Sequence, residues 1–381
     1  MTLITPDIQD IFNALKPFES RLVGGAVRDY FLNGAIADDI DIATTALPND
    51  VIKKLTKAGM HVVPTGIKHG TVTAIYKKKP YEITTLRKDL ETHGRHATVA
   101  FTDEFKEDAK RRDFTFNALY MCENNKISDY FNGQVDLKKG TVRFIGDTET
   151  RIQEDYLRIL RYFRFQGKFA AEPVFNDETL CIIKKNAPQI QTLSSERITA
   201  ELLKILKSTH TSLLMKAMQN ADICQHIGLP EGDTDNLNKL VNTFPTCCTF
   251  TRFACLYQQQ GTDSFLTAAK LNFSNKEKSF IKHLFHALKN VDIHKDIYKQ
   301  LYLTGKDVFI ACLMIKHRQE HVLIHRLQAY NVPLFPVKGA DLIEEGFQTG
   351  PTLGEVLKNL ETWWLNNNFP QKSDCIAHLK K

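Results

Sequence analysis

The strongest constraint on this chain is the run of residues 22–44, LVGGAVRDYFLNGAIADDIDIAT. Leu22 and Val23 predict a short strand, Gly24 and Gly25 a tight turn, and residues 26–32 a helix. Glycines between a strand and a helix let backbone N–H groups approach an anion closely, and the helix N-terminus adds its positive end. Asp39-Ile40-Asp41-Ile42 then alternates carboxylates with β-branched residues. Residues two apart on a strand share a face, so Asp39 and Asp41 are expected to point into one site. Paired hard oxygen ligands suit Mg²⁺, which takes carboxylate and phosphate oxygens and keeps some of its water. Each half is common alone, since acidic pairs occur at exposed strand ends and a diglycine is usually only a turn. Joined in one strand–turn–helix–strand unit, they point to metal-assisted chemistry on a nucleotide.

The 381 residues leave room for about two to three domains. A net charge of +6 suits a polyanionic partner without requiring one. No apolar run approaches the roughly 18 residues of a membrane span. Eight scattered cysteines without a C-x-x-C pair fit a reducing compartment: the cytoplasm, or the mitochondrial matrix in a eukaryote. Near the start, Ile8, Ile11, Phe12 and Leu15 recur at helical spacing behind Pro6, which predicts a helix of the fold rather than a targeting segment.

From residue 21 to about 146 the pattern is mixed α/β. A helix is expected over 48–58, ended by Gly59, with strands at 62–63, 71–76 and 81–87. The last of these carries Glu82, a candidate third carboxylate beside Asp39 and Asp41. Residues 88–105, with Gly94 and Arg95 at their centre, are expected to form a mobile loop over the site. Strands are expected again at 114–121, after a turn at 123–126, and at 141–145. Beyond residue 147 strand signals vanish. Helices are expected at 151–165, 195–206, 211–218, 276–288, 307–330 and 354–365, with breaks at 230–236 and 333–339. Ser194 and Ser195 before Glu196 look like a helix cap. The architecture is therefore an α/β head followed by a long helical part.

Arg28, Arg111 and Arg112 are candidates for a triphosphate clamp, because guanidinium forks match phosphate oxygens. Asp113 can accept from ribose hydroxyls. In the helix expected at 151–165, Glu154, Asp155, Arg158, Arg161 and Arg164 form a polar stripe. Its plainest use is helix-stabilising Glu154–Arg158 and Asp155–Arg158 pairs. A sharper use is base selection. Cytosine and adenine both present an amine donor beside a ring-nitrogen acceptor, which an aspartate and an arginine can read. Uracil and guanine present an oxygen and an N–H there, so both contacts would turn repulsive.

Several runs occur in a characteristic order: LVGGAVRD with DIDIAT, EITTLR, RRDFTFNALY, DYFNGQVDL, RIQEDYLRILRYFRF and SSERITAEL. With them the chain resembles the class II tRNA nucleotidyltransferases, the CCA-adding enzymes of the polymerase β-like superfamily, whose motifs overlap those of bacterial poly(A) polymerases. The resemblance implies an α+β fold: a nucleotidyltransferase head of mixed sheet and helices (1–147), then an all-helical neck (148–206), body (207–272) and tail (273–381). It implies that Asp39 and Asp41 bind catalytic Mg²⁺ with Glu82 beside them, and that Gly24, Gly25, Arg28, Arg111, Arg112 and Asp113 hold triphosphate and ribose. Glu154, Asp155 and Arg158 would select the base, with Arg161 and Arg164 as further nucleotide contacts, and residues 129–136 would act as a hinge. The implied partners are tRNA, through its acceptor arm and 3′ end, and the substrates ATP and CTP, with no membrane and a monomer or homodimer. The implied reaction is template-independent addition of CMP, CMP and AMP to tRNA, with pyrophosphate released. The flexible loop departs from the family at His93, where an aspartate usually precedes Gly94 and Arg95. It is full length, which speaks against a CC-only enzyme. An A-only adding enzyme, a poly(A) polymerase and an inactive RNA-binding protein of the same fold are the alternatives.

Overall fold

The computed structural model describes residues 2–34, 39–93, 96–169, 172–261 and 263–380, with 89–93 and 96–99 described by backbone alone. Helix α1 (Pro6–Leu15) starts where the Thr5 hydroxyl accepts from the Ile8 N–H and Pro6 occupies the first turn, and its Ile8, Ile11, Phe12 and Leu15 stripe is buried. The head continues through β1 (Ser20–Val23), α2 (Gly25–Asn33), β2 (Ile40–Thr44), α3 (Pro48–Lys57), β3 (His61–Gly66), β4 (Thr71–Tyr76) and β5 (Lys79–Thr85). It closes with β6 (Arg87–His93), β7 (His96–Phe101), α4 (Phe105–Lys110), β8 (Leu119–Met121), β9 (Ile127–Asp129) and α5 (Gly133–Lys139).

Seven strands form one sheet in the order β3-β4-β5-β2-β1-β8-β9, and β6 pairs with β7 in a separate hairpin. Within the larger sheet, β2 and β5 run parallel and the other neighbouring pairs antiparallel. Side-chain alternation then sorts the residues by face. Leu22, Ile40, Ile42, Tyr81 and Ile83 join α1 and α3 in one core. Val23 and Ala43 fall on the other face, packed with Leu86, Phe105, Ala109 and Tyr120. Asp41 shares that second face with Ala43, and Glu82, its register partner on β5, points the same way.

Several elements differ from the sequence expectation. Residues 88–105 contain the β6–β7 hairpin rather than a loop without secondary structure; Gly94 and Arg95 lie outside the described residues. The run 114–121 is a 3₁₀ turn over Thr115–Asn117 followed by β8, and 141–145 contributes a single bridge, Phe114 to Phe144. The helix expected at 151–165 is two, α6 (Thr148–Glu154) and α7 (Leu157–Phe169), because Asp155 adopts an extended conformation and its Oδ1 accepts from the Leu157 N–H. An aspartate that can bond to the backbone ahead of it favours a cap over a helix interior. Likewise 307–330 divides into Lys306–Lys316 and His321–Ala329. Helices α8 (Asp177–Asn186) and α9 (Ser195–Leu206) follow α7; Ser194 stands at the N-cap of α9 without a side-chain bond.

The chain divides into two compact units, Met1–Thr234 with Leu266–Asn272, and Asp235–Phe265 with Phe273–Lys381. The expected boundaries at 147 and 206 fall inside the first. The second unit is helical. Its Lys306–Lys316 helix is buried from Val308 to Ile315, as a helix apolar all round must be. Trp364 is core there and donates through Nε1 to the Pro370 carbonyl at 2.8 Å. Among the described residues no helix is long and apolar enough to cross a membrane.

The DYFNGQVDL run has a structural task. Asp129 accepts from the N–H groups of Phe131, Gly133 and Gln134, and so caps the start of α5. Asp136 accepts from the Thr115 hydroxyl at 2.6 Å and from Arg143. A Cβ at Gly133 would fall onto the Thr115 carbonyl and within 2.9 Å of Phe116 Cα. Gly133→Ala is therefore expected to cost about 3 kcal/mol of stability, read as a lowered melting temperature. A melting temperature equal to wild type would contradict that close approach.

Candidate active site

The site is assembled where β1 turns into α2. Gly24 has φ +70°, a conformation glycine adopts freely, and its carbonyl accepts from the Arg28 N–H at 3.0 Å to start the helix. A Cβ on Gly24 would lie 3.4 Å from Arg112 Nη1 and 3.9 Å from Asp41 Oδ2. The glycine turn, one arginine of the RRD run and one carboxylate of the DID run therefore meet at a single point.

Parallel pairing of β2 with β5 sets Asp41 opposite Glu82, and Asp39 lies two residues before Asp41 at the exposed entry to the strand. Burial, with the neighbouring Glu82 and Asp39 carboxylates, raises the Asp41 carboxyl above its ordinary range, against the pull of Arg112. Crowded carboxylates of this kind favour a cation. Among the described residues no three His, Cys, Asp or Glu side chains are gathered as a fully protein-held ion would need. A two-carboxylate set fits an ion that fills its remaining positions with water and phosphate oxygens.

Arg28 is buried. Its Nε and Nη2 pair with Asp29 at 2.8 and 2.9 Å, its Nη1 donates to Asn117 Oδ1 at 2.6 Å, and it stacks near Phe165 and Phe169. Asn117 in turn donates to Asp113 Oδ1 at 2.9 Å, which also accepts the Phe114 N–H. Asp113 Oδ2 takes Arg161 Nε at 2.7 Å. Burial would raise Asp113, but Arg161, Asn117 and the Phe114 N–H hold it below the usual carboxylate range. Asp113, expected to meet ribose, is thus occupied by protein donors in this structure. Arg111 and Arg112 both bind Asp108, a buried residue the sequence reading passed over.

Three arginines of α6 and α7 reach residues 110–113. Arg151 Nη1 donates to the Lys110 carbonyl at 3.0 Å, Arg158 Nη2 to the Arg111 carbonyl at 3.0 Å, and Arg161 pairs with Asp113. Of the two pairs expected within the stripe, Glu154–Arg158 forms at 2.6 Å. Asp155 turns instead to Arg197 of α9, at 2.7 Å. Arg164 pairs with Glu201 of α9 at 3.1 Å, and burial together with Arg161 pulls its guanidinium down to about 10. Asp29, Asn117, Arg197 and Glu201 were legible only as members of the ordered runs.

Residues 20–143 match the family described as "Poly A polymerase head domain", and 175–234 match "Probable RNA and SrmB-binding site of polymerase A". Fold and site define a metal-dependent nucleotidyltransferase. The human CCA tRNA nucleotidyltransferase 1, mitochondrial, is 36% identical, covering 100% of this chain and 93% of its own. The CCA-adding enzyme of Staphylococcus saprophyticus is 31% identical, covering 90% and 89%. The structure of the Bacillus stearothermophilus CCA-adding enzyme in complex with CTP superposes with a TM-score of 0.74 at 29% identity, covering 96% of this chain and 94% of that one. The chain belongs to the CCA-adding tRNA nucleotidyltransferases.

The raised Asp41 carboxyl gives a signed expectation. Its ionised form is disfavoured in the folded state, so the stability penalty is absent at low pH and grows as pH rises through the ordinary carboxylate range. In metal-free buffer Asp41→Asn is expected to melt above wild type at pH 7, with the gap narrowing toward pH 4. Equal melting temperatures at both pH values would contradict the crowding.

Proposed function

We propose that this enzyme adds CMP, CMP and AMP to the 3′ end of tRNA without a nucleic-acid template. The tRNA 3′ hydroxyl attacks the α-phosphorus of CTP or ATP, and pyrophosphate leaves. The observation that carries the reading is the convergence of Gly24, Arg112 and Asp41, with Glu82 beside Asp41, in a chain similar to CCA-adding enzymes along its whole length. Asp39 and Asp41 hold Mg²⁺, which supplies activation of the attacking hydroxyl and charge stabilisation on the leaving pyrophosphate. The Gly24-Gly25 turn and the start of α2 receive phosphate oxygens, with Arg28, Arg111 and Arg112 around them. Asp113 braces Arg161 and serves the ribose with whatever acceptor capacity remains.

Base choice falls to the neck. Asp155 Oδ2 carries one bond from Arg197 and keeps a lone pair for an exocyclic amine. Arg158 spends three of its five N–H donors on Glu154 and the carbonyls of Arg151 and Arg111, leaving two to meet a ring nitrogen. Glu154 fixes Arg158, and Arg161 and Arg164 add positive charge along the same helix. In this reading 1–147 is the catalytic head and 148–206 the neck, while the body (207–272) and tail (273–381) hold the tRNA acceptor arm. The compartment is one that contains tRNA and keeps thiols reduced, the cytoplasm or the mitochondrial matrix.

The test is incubation with tRNA lacking CCA and single labelled nucleotides, then mixtures. CMP incorporation followed by AMP is expected; AMP addition only to a CC end would replace this reading with an A-adding enzyme. Asp155→Ala is expected to lose about 10²-fold or more in discrimination of CTP against UTP. Intact discrimination in that variant would remove Asp155 from base selection.

A further inference from the structure

Asp108, on α4, is 1% exposed and lies outside every role assigned above. Its two oxygens serve different arginines. Oδ1 accepts from Arg111 Nε at 2.8 Å and pairs with Arg111 Nη2 at 2.7 Å. Oδ2 accepts from Arg112 Nη2 at 3.1 Å and Nε at 3.3 Å. The Tyr120 hydroxyl completes the arrangement, donating to Oδ2 at 2.7 Å and accepting from Arg112 Nε at 3.1 Å. The backbone N–H of Arg87, first residue of β6, also donates to Oδ1 at 3.3 Å.

A guanidinium offers five N–H donors in a rigid fork, so binding one edge fixes where the others point. With Nε and Nη2 of Arg112 held by Asp108, Nη1 is the nitrogen left facing the Gly24 turn and Asp41. Two arginines against one carboxylate also leave the cluster with a net positive charge. A carboxylate that absorbed both would leave nothing for a phosphate; one oxygen per arginine holds them while sparing an edge of Arg112.

We propose that Asp108 is the positioning residue of the triphosphate clamp, holding Arg111 and Arg112 on separate oxygens so that Arg112 presents Nη1 to the phosphates at the Gly24 turn. The proposal rests on the nucleotidyl-transfer reading above. Asp108 acts on the phosphates common to CTP and ATP, so it serves both nucleotides equally and takes no part in base choice.

Asp108→Asn keeps the side chain's shape and removes its charge. In steady-state CMP and AMP addition, KM for CTP and for ATP is expected to rise by the same factor, about tenfold, with kcat within about threefold of wild type. Discrimination against UTP should not change. In an Arg112→Gln background, Asp108→Asn should add less than about twofold, because the group it acts through is gone. Equilibrium binding of CTP without tRNA should weaken in parallel. That measurement stands apart from the assigned activity: a wild type that bound CTP and added nothing to tRNA would fail the functional reading, not the comparison of variants. Unchanged KM and CTP affinity in folded Asp108→Asn would overturn the proposal, as would losses that multiply in the double variant. If circular dichroism shows Asp108→Asn unfolded, Tyr120→Phe carries the test, since it removes only the hydroxyl shared by Asp108 and Arg112. Its KM values for CTP and ATP should rise equally, and unchanged values would overturn the proposal.

Discussion

The ion pair between the buried Asp113 and the partly exposed Arg161 fastens helix α7 to the segment that carries the arginine cluster. Arg151 and Arg158 extend the contact by donating to the carbonyls of Lys110 and Arg111. Removing Arg161 would leave the buried Asp113 carboxylate without its counter-ion, which is the costly way to break such a pair. Here that cost guards a distance. The carboxylates of β2 and the polar stripe beginning at Glu154 belong to separate elements, and the RRD segment is the material between them. Asn117 adds a second path, linking Asp113 to Arg28 and so to the first residues of α2.

In the proposed reading this arrangement accounts for a division of labour. A site that only cradles triphosphate binds what all nucleotides share and has no means of telling them apart. A base-reading strip without carboxylates has no means of joining them to an end. Both must be held in one frame for addition to be selective without a template. The arginines of α6 and α7 supply the frame, and Arg158 spends three of its five donors on it. In the proposed reading Arg158 serves both purposes, and the structure shows how much of its capacity the scaffold already takes.

Much of the head was legible in the sequence because its signals are local. Gly24-Gly25 announces a turn, alternation of Ile with Asp announces one carboxylate face, and Pro6 and Gly59 mark helix ends. The placement of Glu82 on a partner strand was also foreseen, although its register was not, since a parallel pairing depends on everything between β2 and β5. The break at Asp155 was missed: helical periodicity continues across 151–165 in the sequence, and a single aspartate bonding to the next turn interrupts it. Asp108 was invisible for a related reason. In a polar stretch an aspartate reads as surface, and only the fold shows both arginines converging on it.

The central claim is that the head performs the transfer while the neck reads the base. It is tested most directly by photolabelling the wild-type enzyme with CTP carrying a photoreactive azide on cytosine, then mapping the modified peptide by mass spectrometry. Label within 154–164 is expected. Label confined to residues 1–147 would contradict base recognition by the neck.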